Sequence, residues 1–143
     1  MSNVKNFNIN RVSLIFGGIP LDSGFGSDTV FSFESEDMYD DAVGADGEVI
    51  RWATNDRRFT LKVSLMQSSD KNALLSALVA LGALSSNGDD VAALLLKDNN
   101  GSTVIASGKT WLKGLPGVDF GKSAKEREWT FRGVWDAIVV GGN

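Results

Sequence analysis

Alternation of apolar and polar positions runs through most of the chain and predicts strands. In residues 57–67, Phe59, Leu61, Val63 and Leu65 fall on one side, with Arg58, Thr60, Lys62 and Ser64 on the other. That is the pattern of a strand with one buried and one wet face. Residues 48–54 precede it across the turn-prone Asn55-Asp56, so 48–67 is expected as a long hairpin. Residues 11–16 alternate until Gly17-Gly18 and Pro20, and 29–35 resume with Phe31 and Phe33 on one face, so these two segments are expected to pair. Residues 91–97 form a short apolar strand. Asp98-Asn99-Asn100-Gly101 then suits a hairpin turn in which Asn and Gly take positive φ, and 102–113 return beside it. In residues 126–134, Arg127, Trp129, Phe131 and Gly133 oppose Glu128, Thr130 and Arg132, giving a last strand.

One segment has a helical signature. Ser68-Ser69-Asp70 offers an N-cap to residues 72–84, whose Leu74, Leu78 and Leu81 form a stripe. Ala73, Ala77, Val79, Ala80 and Ala83 leave little polar surface elsewhere, so the helix is expected to be buried on several sides. A small β domain rarely encloses a helix, which points the Ala73, Ala77 and Ala80 side at a neighbouring subunit. The stretch 36–47 is acidic, holds Gly44 and Gly47 and shows no period, so it reads as a long loop. Residues 114–121 read as a Gly/Pro-rich connector, with arms at 1–10 and 137–143.

With 143 residues, 43% hydrophobic and 22% charged, the chain fits a single domain spanning 1–143. No apolar run reaches membrane-spanning length. The polar first eleven residues are expected to carry no export address, which implies cytoplasmic synthesis. The chain has no His and no Cys, which removes Ser-His-Asp and Cys-His nucleophiles, thiolate and imidazole zinc sites and disulfides. Chemistry is left to carboxylates, Lys, Tyr39 and hydroxyls, with a hard cation as the one metal class open.

Charge is uneven along the chain. Residues 12–50 hold no Lys or Arg but nine acids, and the first fifty residues carry net minus seven against plus three for the rest. A solvated acidic loop would give this pattern; so would head-to-tail contacts between copies. Tight nucleic-acid binding does not fit a net charge of −4 and a pI near 4.7. A conduit for DNA does fit, because each cation on a phosphate adds to the cost of release.

Local motifs carry little chemistry. Phe120-Gly121-Lys122-Ser123 resembles the end of a phosphate loop but has Pro116 where Gly is required. Gly24-Phe25-Gly26 lacks its third glycine, and the acidic stretch misses the calcium-loop register. Asp40 with Glu48, or Glu126 with Glu128, would serve acid/base work only across a cleft. Trp52, Trp111, Trp129 and Trp135 suit packing as well as sugar stacking.

The strings Gly47-Glu-Val-Ile-Arg51, Thr54-Asn-Asp-Arg-Arg58, Leu65-Met-Gln-Ser-Ser69 and Leu94-Leu-Leu-Lys-Asp-Asn-Asn-Gly101 occur in an order that resembles the tail tube proteins of contractile-tailed bacteriophages. Trp111 ahead of Pro116, Phe120-Gly121-Lys122 and Arg127-Glu-Trp-Thr-Phe131 continue the likeness, which spans roughly residues 10–135. The resemblance implies a mainly β fold, a β-sandwich or open antiparallel β-barrel, with one flanking α-helix. It further implies a structural virion subunit and no enzyme, cofactor or metal. Six copies would close into rings, and rings would stack into a hollow tube assembled in the host cytoplasm. The implied partners are the chain itself, a tail sheath outside, a tape-measure protein and transiently DNA inside, and baseplate and tail-terminator proteins at the ends. No membrane is implied. The tube of a phage-derived particle or secretion system is an alternative, and a carbohydrate-active or sugar-binding β-sandwich is another.

On that resemblance, hairpin 48–67 becomes the channel-lining element, through Arg58, Thr60, Lys62 and Ser64, with Glu126 and Glu128 offsetting their charge. Loop 36–47, with Asp37, Asp40, Asp41 and Asp46, becomes the grip on an adjacent ring or subunit. Its expected counterparts are Arg51, Arg57, Lys122, Lys125 and Arg127.

Overall fold

A computed structural model describes residues 4–22, 24–26, 29–84 and 90–142. The chain opens with a 3-10 turn at Ile9–Arg11 and strand β1 (Val12–Phe16), which reverses at Gly17-Gly18 into the two-residue β2 (Ile19–Pro20). Both glycines have positive φ, +56° and +83°, which side chains larger than glycine rarely adopt. Then follow β3 (Phe31–Ser35), β4 (Tyr39–Val43), β5 (Val49–Ala53), β6 (Arg58–Met66), helix α1 (Lys71–Leu84), β7 (Ala92–Asp98), β8 (Val104–Leu112), β9 (Glu126–Val134) and β10 (Ala137–Val139).

Eight strands form one antiparallel sheet in the order β2-β1-β7-β8-β9-β6-β3, with β10 also on β8, while β4 and β5 make a separate two-stranded ribbon. The main sheet curls on itself. Phe16 on β1 and Phe131 on β9 lie three strands apart in the sheet, yet their rings meet edge to face at 4.9 Å across the core. The bend is built into β8. Its Lys109–Leu112 end pairs with β9 and its Val104–Ala106 end with β10. At the changeover the buried Ser107 hydroxyl donates to the Val134 carbonyl at 2.7 Å and accepts from the Lys109 amide at 3.1 Å, satisfying groups the ladder leaves over. Gly133 is required beside it, because a Cβ there would lie 2.6 Å from the Lys109 carbonyl and 2.9 Å from the Phe59 ring.

The helix covers one side of this core. Leu75 is fully buried, Leu78 and Val79 pack against the core, and the Trp129 indole N–H donates to Asn72 Oδ1 at 2.8 Å, tying the helix start to β9. The Ser69 hydroxyl accepts from the Lys71 amide, as the capping signal predicts. The mainly β architecture with one flanking helix matches the sequence expectation.

Several local expectations are corrected. β1 pairs with β7 rather than β3, and β3 pairs with β6, where Phe33 stacks on Phe59 at 5.5 Å. Residues 48–67 are not one hairpin: β5 folds back on β4, and Asn55, at φ +56°, redirects the chain into β6. The stretch 36–47 therefore contains a strand, not only a loop. Its missed signal is Asp46-Gly47, a favoured hairpin dipeptide, with Gly47 at φ +88°. The 98–101 turn needs no positive φ. Asp98 Oδ1 instead accepts from the Asn100 amide, and Asn100 bonds Asn8 in the N-terminal segment. Within 137–143, Ala137–Val139 is strand β10 rather than free arm. Residues 1–3 and 143 of the expected arms lie outside the described residues.

The helix is also less enclosed than expected, since Leu74, Leu81 and Leu84 are 44%, 47% and 91% exposed. Leu75→Ala should lower the unfolding free energy by about 2–5 kcal/mol. Leu84→Ala should change it by less than about 0.5 kcal/mol in the dissociated chain, because that side chain, 91% exposed, hardly leaves water on folding. Urea titration of both variants checks the assignment of the two helix faces.

Candidate assembly and channel surfaces

Nine consecutive residue pairs, from Arg58 opposite Val134 to Met66 opposite Glu126, hold β6 against β9. With a side-chain period of two, this register puts Arg58, Thr60, Lys62 and Ser64 on the same outward face as Glu126, Glu128, Thr130 and Arg132. The six residues expected to line a channel thus share one surface, although β5 takes no part in it. Ser32 and Glu34 join from β3, opposite Lys62 and Thr60. The opposite side of the same strands carries Phe59, Leu61, Val63, Leu65, Trp129 and Phe131, all buried.

Charges on the polar face are arranged in pairs. The Arg58 guanidinium forks onto Asp56, with Nη2 to Oδ2 at 2.8 Å and Nε to Oδ1 at 3.0 Å. Arg132 Nη1 lies 3.7 Å from Glu36 Oε1 and donates to Thr60 Oγ1 at 2.6 Å. Lys62 Nζ sits 4.0 Å from Glu128 Oε1, a diagonal cross-strand pair. Sequence reasoning missed Glu36, Asp56 and Arg132 here. The alternation of β9 was the available signal for Arg132, whereas Glu36 and Asp56 lie beyond strand ends and carry none. Hydrogen bonds from the Arg58 side chain and backbone hold the Asp56 carboxyl down at about 2, and the Asp56 contact in turn raises the Arg58 pKa.

The β4-β5 ribbon stands apart from the main sheet, with all ten residues exposed. One side presents Asp40, Ala42, Ile50 and Trp52, the other Tyr39, Asp41, Val43, Val49, Arg51 and Ala53. Asp37 precedes it and Asp46 sits in its turn, where Oδ1 accepts from the Glu48 amide. Arg51, expected opposite the acids on another copy, is the cross-strand partner of Asp41 in the same ribbon and lies 4.3 Å over the Tyr39 ring. The ribbon is therefore amphiphilic rather than purely acidic. Its exposed Val43, Val49, Ile50 and Trp52 went unremarked at sequence level as an apolar surface.

The other expected interface residues scatter. Arg57 is exposed and lies 5.3 Å over the Trp135 ring. Ala73, Ala77 and Ala80 are exposed on the helix beside Leu74 and Leu81, and Lys122 and Lys125 are exposed in the connector after β8. Arg127 is different: strand alternation turns it inward beside Trp129, only 9% exposed, and its Nη1 has no hydrogen-bond partner among the described residues. Phe120 lies 5.5 Å from its guanidinium. As folded in the single chain, Arg127 is not a surface cation.

On the far side of the core, the outer faces of β1, β7 and β8 form a shallow apolar trough of about 410 Å3. Ile15, Gly18, Ala93, Leu95, Ala106 and Gly108 line it. The polar face and this trough point in opposite directions from a shared interior.

A depressed carboxyl pKa favours the folded state above the unfolded value of 3.8, and the contribution disappears as pH falls through about 2. Carboxyl-detected NMR should find Asp56 titrating near 2 and returning toward 3.8 in Arg58→Gln. A wild-type midpoint near 3.8 would remove the Asp56–Arg58 clamp.

The family model described as the Bacteriophage PhiTE tail tube protein matches residues 12–141. Structural protein ORF10 of Pseudomonas phage KPP10 is 27% identical over 122 residues, covering 85% of this chain and 70% of that protein. Among solved structures, the tube-terminating cap of the anti-feeding prophage superposes with TM-score 0.58 at 8% identity, over 94% of this chain and 91% of that one. A chain of the sheath-tube complex of an extracellular contractile injection system, PVC, gives 0.56 at 10% identity, over 94% and 90%. A chain of that system's sheath/tube terminator gives 0.54 at 10% identity, over 96% and 98%. At such identities the structural likeness speaks for the fold.

Proposed function

The chain belongs to the bacteriophage PhiTE tail tube protein family, and from that premise we propose that its copies close into hexameric rings that stack into the inner tube of a phage tail. It is a structural protein of the virion tail and not an enzyme. In the proposed tube the polar face of β3, β6 and β9 lines the channel, which encloses a tape-measure protein and later conducts DNA during ejection. The apolar trough on β1, β7 and β8, pointing the other way, meets the sheath. Baseplate and terminator proteins close the two ends, and the tube assembles in the host cytoplasm.

The β4-β5 ribbon carries this reading. A lone two-stranded hairpin is marginal in water, and here both faces are wet while Val43, Val49, Ile50 and Trp52 stay exposed. Such a ribbon gains a partner for its apolar side chains by docking on a second copy in the adjacent ring, where its acids meet Arg57, Lys122 or Lys125. The apolar contact supplies most of the association energy, since exposed ion pairs are individually weak. Two further features support self-association. Among the described residues β3 ends the sheet without an outer partner, an edge that a neighbour's strand would cover. The exposed side of α1, with Ala73, Ala77, Ala80 and Leu81, offers a flat apolar contact between subunits.

Reversing Asp37, Asp40 and Asp41 to Lys together should abolish or strongly reduce tube formation in negative-stain images while leaving the circular dichroism spectrum unchanged. Tubes of normal length in the triple variant would remove the ribbon from the inter-ring contact. The channel assignment has its own check, made clean by the absence of native cysteine. In Ser64→Cys tubes the thiol should resist a maleimide carried on a large globular protein, while Ala93→Cys on the outer face reacts. Equal reaction at both sites would place the polar face outside the channel.

A further inference from the structure

We propose that Asp56, Glu36 and Glu128 act as cages for Arg58, Arg132 and Lys62, keeping the cations of the polar face from gripping the phosphates of duplex DNA that moves across it. The proposal rests on the channel reading above and adds a role for these carboxylates within it.

Three observations carry it. First, each cation on the β6-β9 part of the face is held. Arg58 is clamped at both ends of its fork by Asp56, Arg132 is shared between Glu36 and the Thr60 hydroxyl, and Lys62 reaches Glu128. Second, the upper two pairs form one cluster. Arg132 also contributes to holding the Asp56 carboxyl ionised, and Glu36 acts on Arg58 in the same sense, so two cations and two anions balance locally. At the margins Lys109 on β8 and Lys113 just beyond its end are matched in number by Glu34 and Glu126. Third, every pair keeps at least one side chain open to water: Arg58, Lys62, Glu128 and Glu36 are 57%, 53%, 59% and 43% accessible, and Asp56 and Arg132 about a quarter so. Exposed pairs add little to stability, so stability does not account for placing three of them on one wet surface.

The physical consequence concerns counterions. A cation that neutralises a phosphate releases condensed counterions from the duplex, which drives binding and makes it salt-dependent. A cation already paired in the protein must first lose its carboxylate, which cancels most of that gain. The long aliphatic and guanidinium groups still cover the strands, so the wall keeps its packing without becoming adhesive.

The test uses the full chain in dissociated form, where the face is open to solution, and a short duplex DNA as probe. Wild type should show no measurable binding in fluorescence anisotropy at low salt. Asp56→Asn, Glu36→Gln and Glu128→Gln combined should bind at least about tenfold more tightly, with a log–log salt slope near −2.7 for three phosphate contacts. A control with the same change in net charge, Asp22→Asn, Asp70→Asn and Asp119→Asn, should remain near wild type. Binding by both triple variants alike would reduce the effect to net charge and overturn the proposal, as would binding by neither. Should the cage variant unfold, the complementary variant Arg58→Gln, Lys62→Gln and Arg132→Gln decides. It should match wild type in showing no binding because the cations are already silent, and measurable low-salt binding by wild type that this variant abolishes would overturn the proposal. Failure of the channel reading is registered separately by the Ser64→Cys labelling, which does not depend on charge.

Discussion

The nine-residue register between β6 and β9 is the constraint on which both surfaces of this protein depend. Because side chains alternate strictly, one alignment buries Phe59, Leu61, Val63 and Leu65 against Trp129 and Phe131 and at the same time assembles the charged outer face. A slip by one residue would put Lys62 and Glu128 into the core and the leucines into water. Burial of large side chains, each contributing roughly 1.5–3 kcal/mol, makes such a slip far costlier than any loss among the surface ion pairs. The hydrophobic effect therefore sets the geometry of the polar wall, and the ion pairs occupy positions already fixed from behind.

The curl of the sheet follows from a second, smaller constraint at β8. Where β8 leaves β9 and joins β10, the ladder loses its regular partners, and Ser107, Gly108 and Asp136 take over the free amides and carbonyls. Asp136 Oδ2 accepts from the Gly108 amide at 2.7 Å, and its own amide donates to the Ala106 carbonyl. This bend lets Phe16 reach Phe131 and leaves two outward surfaces of unlike character, one charged and one apolar. The proposed tube would use that division, with one face toward the contents and another toward the surrounding shell.

The proposed self-assembly would also explain features that a solitary sandwich would have to protect. β2 is only two residues long and ends in Pro20, which blunts that edge, whereas β3 is five residues long and has no outer partner strand among the described residues. The ribbon β4-β5 and the outer side of α1 display apolar side chains in the same unfinished way. In the proposed tube all three would be covered by further copies.

Legibility from sequence was uneven. The alternation of 58–66 and 126–134, the capped helix and the mainly β class were all readable, because periodicity is local and needs no knowledge of neighbours. Alternation even placed Arg127 with Trp129 and Phe131 on the inward side; the expectation of Arg127 as a surface cation came from its position in the chain, and the fold sides with the alternation. What the chain could not announce was strand partnership. β1 meets β7 and β6 meets β9 across long stretches of sequence, and no local pattern distinguishes those partners from nearer ones. Glu36 reaches Arg132 only after β3 and β9 have both paired with β6, whereas Asp56 meets Arg58 two residues along the chain. Local periodicity chose which side chains face inward; tertiary structure alone decided what stands beside them, because that depends on how the whole sheet bends around its core.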